Sequence, residues 1–512
     1  MKVLLIYPKY PKTFWSFEYA ISFINKKASL PPLGLLTIAS MLPKDWTLKL
    51  IDMNIKKLND EDIRWADIVM ISAMSVQKDS TLEVIKKCKD FGVKIAGGGP
   101  LFTVEFEKFK DVDYLFIGEG ELHIEDFVYD IKKGVESKIY KSENFADLTK
   151  SPAPSWEIIN INDYATLSLQ FSRGCPYSCD FCNVTSMFGH KVRTKSSEQI
   201  LFELEKIYNT GFRGGVFFVD DNFIAHRSKL KNDLLPKLIN WMKEKRYPFE
   251  FFTQVSINIS DDDELIDLMV KAGFDTVFIG IESPNEDSLI ESNKYQNVKR
   301  DLKKSIIKLH KKGLQVQGGF IVGFDNDRED IFDKQINFIQ ESGIISAMVG
   351  ILNAPPGTKL YDKLKKENRL LENIFTGNNT DISINFKPKI EPKKLIDGYL
   401  KIVTTIYNPK NFYERLKYFI QTYTPPFLPE KVNNLSKERI KAFFKSLIKL
   451  GILGKERWYY FRFLIWVVLK KPKTFPLAVY LAICGYHFRK IFEEIARSYN
   501  KNNFVMNKIS GG

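Results

Sequence analysis

The stretch Ser172-Arg173-Gly174-Cys175-Pro176-Tyr177-Ser178-Cys179-Asp180-Phe181-Cys182 decides how this 512-residue chain is read. It holds three of the five cysteines. Cys88 and Cys484 lie far from it. The apolar run in MKVLLIYPKYPK is too short for a secretory signal, so a cytoplasmic chain is expected. In a reducing compartment such clustering argues for metal rather than disulfides. Thiolates are soft ligands suited to iron–sulfur clusters. Cys-x3-Cys-x2-Cys can hold three irons of a [4Fe–4S] cube and leave the fourth open to an added chelating ligand. A structural zinc would need a fourth ligand, with His190 the candidate. The spacing fits the cluster loop better.

Outward from the cysteines the pattern is α/β. Strands are predicted at Ala165–Phe171, Gly215–Val219, Glu250–Gln254, Thr276–Ile279, Gln317–Val322 and Ala347–Leu352. Amphipathic helices such as Ser197–Asn209 and Asp261–Ala272 fall between them. Repeated βα units of this kind predict a partial or full barrel, with its site at the carboxyl ends of the strands. Further upstream, apolar runs at Val3–Tyr7, Leu48–Asp52, Ile68–Ser72, Lys94–Gly97 and Tyr114–Ile117 predict an open parallel sheet. Its carboxyl edge reads Ser72-Ala73-Met74, Gly97-Gly98-Gly99-Pro100 and Gly118-Glu119-Gly120-Glu121, residues that let a ligand approach the backbone. A polar stretch at Thr149–Pro154 reads as a linker.

Hydrophobic residues at 44% and charged residues at 27% exclude a largely disordered chain. The net charge of +14 is local: residues 401–512 hold 21 Lys and Arg against 6 Asp and Glu. Either an anionic partner or a solvated lysine-rich face would account for it. The apolar runs Trp458–Leu469 and Phe475–Cys484 are too short to span a bilayer and read as buried or interfacial helices. Three units are expected: 1–148, 160–365 and a basic, aromatic-rich helical 366–512.

CxxxCxxC with the aromatic Phe181 before its last cysteine resembles the signature of the radical S-adenosylmethionine (SAM) superfamily. The resemblance implies a (β/α)6 partial TIM barrel in which Cys175, Cys179 and Cys182 hold the cluster. SAM would chelate the open iron, and one electron would cleave it to a radical that takes hydrogen from substrate. Phe181, Asp220, Asp221, Gln254, Ser256, Glu282 and Val322 match the family's SAM-contact positions. Asp220–Asn222 could equally cap the next helix.

The first sheet resembles the Rossmann-like cobalamin-binding domain that precedes many such barrels, with Ser72, Met74, Gly97 and Gly98 at its patterned positions. The motif DxHxxG is absent and the first histidine is His123, so cobalamin without a histidine ligand is implied. Val192–Lys195, Phe217–Phe223 and Gly485-Tyr486-His487-Phe488 resemble the subgroup of hopanoid C-methylases and archaeal tetraether lipid ring synthases. His487, a lone histidine among aromatics, reads as a packed residue, and Cys88 and Cys484 as buried thiols.

The resemblance implies cobalamin-dependent C-methylation of an unactivated carbon on an isoprenoid-lipid-like substrate. An electron donor such as ferredoxin or flavodoxin would serve it, with peripheral contact on the inner face of the membrane and no nucleic-acid partner. Ring closure without methyl transfer, and radical modification of tRNA or protein, are the alternatives.

Overall fold

The computed structural model describes residues 1–371, 374–431 and 437–509. Of the helical unit expected over 366–512, residues 372–373, 432–436 and 510–512 lie outside the described residues.

Two six-stranded, wholly parallel sheets organise the chain. The first runs β2 (Thr47–Asp52), β1 (Lys2–Tyr7), β3 (Ile68–Ser72), β4 (Lys94–Gly98), β5 (Tyr114–Ile117) and β6 (Lys138–Lys141). Val3–Ile6 and Ile68–Ile71 are buried throughout, as strands covered by helices on both faces must be. Those helices include α1 (Leu33–Met41), α2 (Lys78–Asp90) and α3 (Ile124–Lys133). The edge strand β6 is not evident from sequence, because three of its four residues are exposed.

The second sheet runs, in chain order across its width, β7 (Thr166–Leu169), β10 (Gly214–Phe218), β11 (Phe249–Gln254), β12 (Phe274–Glu282), β13 (Gln315–Val322) and β14 (Ala347–Ile351). Its helices are α4 (Ser197–Asn209), α5 (Leu235–Glu244), α6 (Asp263–Lys271), α7 (Leu302–Lys311) and α8 (Ile331–Ser342). This open arc is the half-barrel expected from the βα repeat. Its side chains sort by pleat. Phe218, Phe251 and Phe274 are buried together on one face, with ring centroids 5.1–5.4 Å apart. Burying each is worth roughly 1.5–3 kcal/mol. Their neighbours Phe217, Phe252 and Phe278 point to the opposite face and stay partly open.

Helix α4 illustrates the local logic. Ser196 Oγ accepts from Gln199 N at 3.1 Å and Gln199 Oε1 accepts from Ser196 N at 2.9 Å, a reciprocal cap worth about 1 kcal/mol. Ile200, Leu204 and Ile207 follow at three- and four-residue spacing and are fully buried. The Thr149–Pro154 stretch is a fixed strap, since Ser40 Oγ of α1 donates to Ala153 O at 2.7 Å. One continuous apolar core runs through both sheets.

Helices α9 (Pro392–Ile406), α10 (Pro409–Thr422), α11 (Lys437–Ser446), α12 (Arg457–Lys470) and α13 (Phe475–Ile509) complete the chain. No described helix is long and apolar enough to cross a membrane. His487 is packed as expected: it is buried, and its Nε2 lies 3.0 Å from Phe14 O. Burial lowers its pKa to about 4. Cys88 and Cys484 are buried.

Candidate active site

The cysteine loop leaves the barrel through a short hairpin not foreseen in the sequence. β8 (Ser172–Arg173) pairs antiparallel with β9 (Arg193–Thr194) and closes the loop at its base. Gly174 follows with φ of +94°. A Cβ there would sit 2.9 Å from Lys191 O and 3.0 Å from Gly189 O, so only glycine fits. Gly174→Ala should therefore distort the loop at a cost of about 1–3 kcal/mol. Iron and sulfide bound per reconstituted chain should drop measurably against wild type.

Cys175, Cys179 and Cys182 are unpaired and partly buried. The loop is held from two sides. Asp180 N donates to Ser292 O and Leu360 N donates to Asp180 O, at 3.0 and 2.9 Å. Asn293 Nδ2 donates to Asp180 Oδ1 at 2.7 Å. Gln296 Nε2 lies 3.6 Å from Cys179 Sγ, and its buried Oε1 has no partner. Burial raises the Cys175 thiol and pushes Cys182 up to about 12. Thiols that resist ionisation this strongly need a cation beside them to become thiolates. The three sulfurs and the unsatisfied amide oxygen thus fit a cationic cluster. His190, the fourth ligand that a structural zinc would need, is exposed.

The remaining positions expected to contact SAM fall into two groups. Asp220 is fully buried and already occupied. It accepts from Phe171 N at 3.1 Å and from both the amide and the hydroxyl of Ser172, tying β10 to the start of the cysteine loop. Burial raises it to about 7 against those hydrogen bonds. The Val322 side chain is fully buried in the core.

Asp221, Gln254, Ser256 and Glu282 lie at strand ends around the loop. Asp221 accepts from Gly174 N at 3.2 Å, and burial raises it to about 6. Asn222 Oδ1 accepts from Ser256 N at 3.1 Å, and Ser256 Oγ donates to Asn258 Oδ1 at 2.7 Å. Asn258 Nδ2 in turn donates to Tyr177 OH at 2.7 Å, linking the rim to the cysteine loop. Phe181 meets Phe324 edge-on at 6.2 Å.

Glu282 is held at φ +64°, a conformation rare for a side-chain-bearing residue. The β12–β13 register shifts beside it, and Gly280 leaves room for its carboxylate. The carboxylate accepts from Lys294 Nζ at 2.8 Å. Burial opposes the charge on Lys294, but Glu282 and Cys179 outweigh it and raise its pKa. Lys294, Gln296, Asn258 and Tyr177 were not singled out in sequence. None falls on a strand end, and no local pattern marks them.

Two largely buried arginines join the first sheet to the loop. Glu119, after β5, accepts from Arg173 Nη1 at 2.9 Å, Arg193 Nη1 at 2.8 Å and Ala146 N at 2.6 Å. Arg173 also pairs with Glu121 at 2.5 Å. Burial opposes the Arg173 charge, yet Glu121 and Glu119 raise its pKa overall.

At the carboxyl edge of the first sheet, Ser72 and Gly98 end neighbouring strands and Met74 is 41% exposed. Gly97 is a glycine for packing, because a Cβ there would enter the Phe102 ring. Gly98 is open apart from Phe116 at 3.4 Å. One histidine, His123, lies in the loops at this edge; it is buried, with its ring 6.0 Å from that of Tyr140. An exposed thioether beside bare backbone, with the imidazole of this edge buried, fits cobalamin held without a histidine.

Comparison with known proteins agrees with this arrangement. Residues 169–339 match the radical SAM superfamily and residues 22–128 the B12 binding domain. Residues 358–501 match a domain of unknown function, DUF4070. An uncharacterized methyltransferase of Synechocystis sp. is 36% identical over 501 residues, covering 97% of this chain and 93% of that protein. The hopanoid C-2 methylase of Rhodopseudomonas palustris is 29% identical over 472 residues, covering 90% and 88%. The solved structure of the cobalamin-dependent SAM radical enzyme OxsB shares the fold, with a TM-score of 0.58 at 16% identity over 98% of this chain and 81% of that one.

Fold and site therefore define a radical SAM enzyme with a cobalamin-binding domain. The chain belongs to the cobalamin-dependent radical SAM methyltransferase family, and its cofactors are a [4Fe–4S] cluster, SAM and cobalamin.

Proposed function

We propose that this enzyme C-methylates an unactivated carbon of a hydrophobic, isoprenoid-lipid-like substrate. The observation that carries the reading is the half-barrel face turned away from the helices. Phe217 and Phe252 stack there with ring centroids 4.7 Å apart. Trp15, from the N-terminal segment, meets Phe278 edge-on at 5.4 Å, and its Nε1 lies 3.0 Å from Met348 Sδ. All five side chains are partly open. Glycine at 319 makes room for Phe278, since a Cβ would lie 2.8 Å from its ring. An aromatic face below the cysteine loop suits a substrate with few polar groups and keeps water from a reactive radical. The hopanoid C-2 methylase acts, by its name, on such a lipid.

Cys175, Cys179 and Cys182 would hold the cluster, which supplies the electron that splits SAM. Ser72, Met74, Gly97 and Gly98 would hold cobalamin, which supplies the methyl group. Asp221, Gln254, Ser256 and Glu282 would orient SAM by its polar groups, with Phe181 against it. Asp220 and Val322 would act by fixing the strands that carry those groups. Glu282 and Lys294 keep a neutral pair beside the thiolates. The working units are 1–148, 160–365 and 366–512. A ferredoxin or flavodoxin would reduce the cluster in the cytoplasm, and the basic C-terminal helices would bring the enzyme to the membrane.

Reconstituted, reduced enzyme given SAM and an isoprenoid-lipid extract should release both S-adenosylhomocysteine and 5′-deoxyadenosine. A lipid heavier by one methylene should appear with them. Deoxyadenosine without homocysteine would overturn methyl transfer and favour carbon–carbon bond formation. Methylation of tRNA or protein with no lipid product would overturn the substrate.

A further inference from the structure

The C-terminal helices leave a large apolar surface uncovered. From Lys437, α11 continues through a wide π-helical turn (Leu447–Ile452), reverses at Leu453–Glu456, and returns as α12. Ile440, Phe444, Ile448 and Ile452 repeat every four residues on the outer side of the first arm, all exposed. The turn is the most open part: Leu453 and Trp458 are each 76% exposed.

On the return arm the inner face packs Tyr460, Phe463, Leu464 and Val467 into the core. Its outer face nevertheless presents Ile465 and Leu469 to solvent. A helix apolar on both sides needs cover on both. Uncovered apolar surface on this scale marks an interaction site.

The charges say what covers it. Residues 437–473 hold 11 Lys and Arg against Glu438 and Glu456. Glu456 is buried against Arg489 at 2.7 Å, which removes it from the surface. Lys455 and Arg457 flank the turn, and Arg462 and Lys470 lie on the exposed side of α12. The most exposed apolar side chains of the two arms, Leu453 and Trp458, stand at the tip of a hairpin, a wedge rather than a groove for a peptide. Basic residues beside a tryptophan and branched aliphatics are the composition of an interfacial anchor on an anionic leaflet.

We propose that the α11–α12 hairpin docks this enzyme on an anionic phospholipid bilayer. Leu453 and Trp458 enter the headgroup–acyl boundary, and Lys455, Arg457 and Arg462 pair with lipid phosphates. The proposal deepens the lipid-substrate reading, but binding to vesicles needs no turnover, so the two can fail separately.

The test is co-sedimentation of the full chain with vesicles of phosphatidylcholine alone or mixed equally with phosphatidylglycerol. Wild type should bind the anionic vesicles at least about tenfold more tightly than the neutral ones. The variant Ile452→Ser/Leu453→Ser/Trp458→Ser should lose about tenfold or more on anionic vesicles. Lys455→Glu/Arg457→Glu should lose a similar factor and its salt dependence. Both should keep wild-type melting temperature and SAM cleavage. Equal binding by wild type and the triple variant would overturn the proposal. So would absence of vesicle binding, including the case where the hairpin instead mediates a dimer that the triple variant breaks. Displacement of the enzyme from vesicles by tRNA at physiological salt would assign the surface to nucleic acid and overturn it too.

Discussion

Cys179→Ala should reduce formation of 5′-deoxyadenosine to background. In the proposed site each of the three thiolates would anchor one iron, and Cys88 and Cys484 lie far from the loop in sequence and are buried. Cys179 stands between the other two in the loop, and among the described residues its sulfur has one hydrogen-bonding neighbour, Gln296 at 3.6 Å. Removing a partly buried sulfur with so few contacts should cost about 1 kcal/mol or less of stability. The backbone anchors at Asp180 belong to its neighbour and survive. The expected result is thus a folded protein, unchanged in circular dichroism and melting temperature, that no longer retains iron and sulfide on reconstitution. Ser in place of Ala should do the same, because a hydroxyl is too weak an acid to replace a thiolate. A variant that keeps full iron content and cleaves SAM would place the cluster elsewhere.

The strands were legible because parallel sheets covered on both faces leave long apolar runs. Val3–Ile6 and Ile68–Ile71 could be nothing else in a chain of this composition. The cysteine loop was legible because its chemistry lies within eleven consecutive residues. The parts that failed to show have a common cause. β6 is an edge strand with three of its four residues exposed, and β8–β9 are two residues each, too short for any periodicity.

Lys294 reaches Glu282 from a loop, and Gln296 reaches Cys179 across 117 positions of sequence. Such contacts depend on how six strand ends are brought to one rim, which no local window contains. Asp220 teaches the reverse lesson. Its position after β10 is what a ligand-binding carboxylate would have, yet the structure uses its oxygens to hold the backbone of Phe171 and Ser172. A strand-end carboxylate identifies the neighbourhood of a site more securely than it identifies a contact.

Glu119 carries the second large effect. Its side chain is 2% exposed and faces Arg173 and Arg193, each 14% exposed, from the first sheet. Arg193 depends on it: the other acceptors for its guanidinium are the carbonyls of Ala146 at 2.7 Å and Phe188 at 3.1 Å, and its Nε has no partner. Arg173 keeps Glu121. Truncating one member of a buried ion cluster leaves charge without compensation, at a cost of about 3–5 kcal/mol. Glu119→Ala should show that loss as a lowered melting temperature. It should also show poor retention of the cluster, because both arginines sit on the hairpin that closes the cysteine loop.

Glu119→Gln preserves the shape and one acceptor and should fall between Ala and wild type. The decisive measurement is the double variant with Arg193→Ala. If the pair acts as one unit, the double variant should be less damaged than the sum of the single changes, by about 1 kcal/mol or more. Strict additivity would mean that Glu119 stabilises the first sheet alone. The cobalamin domain and the cluster loop would then be joined by packing rather than by charge.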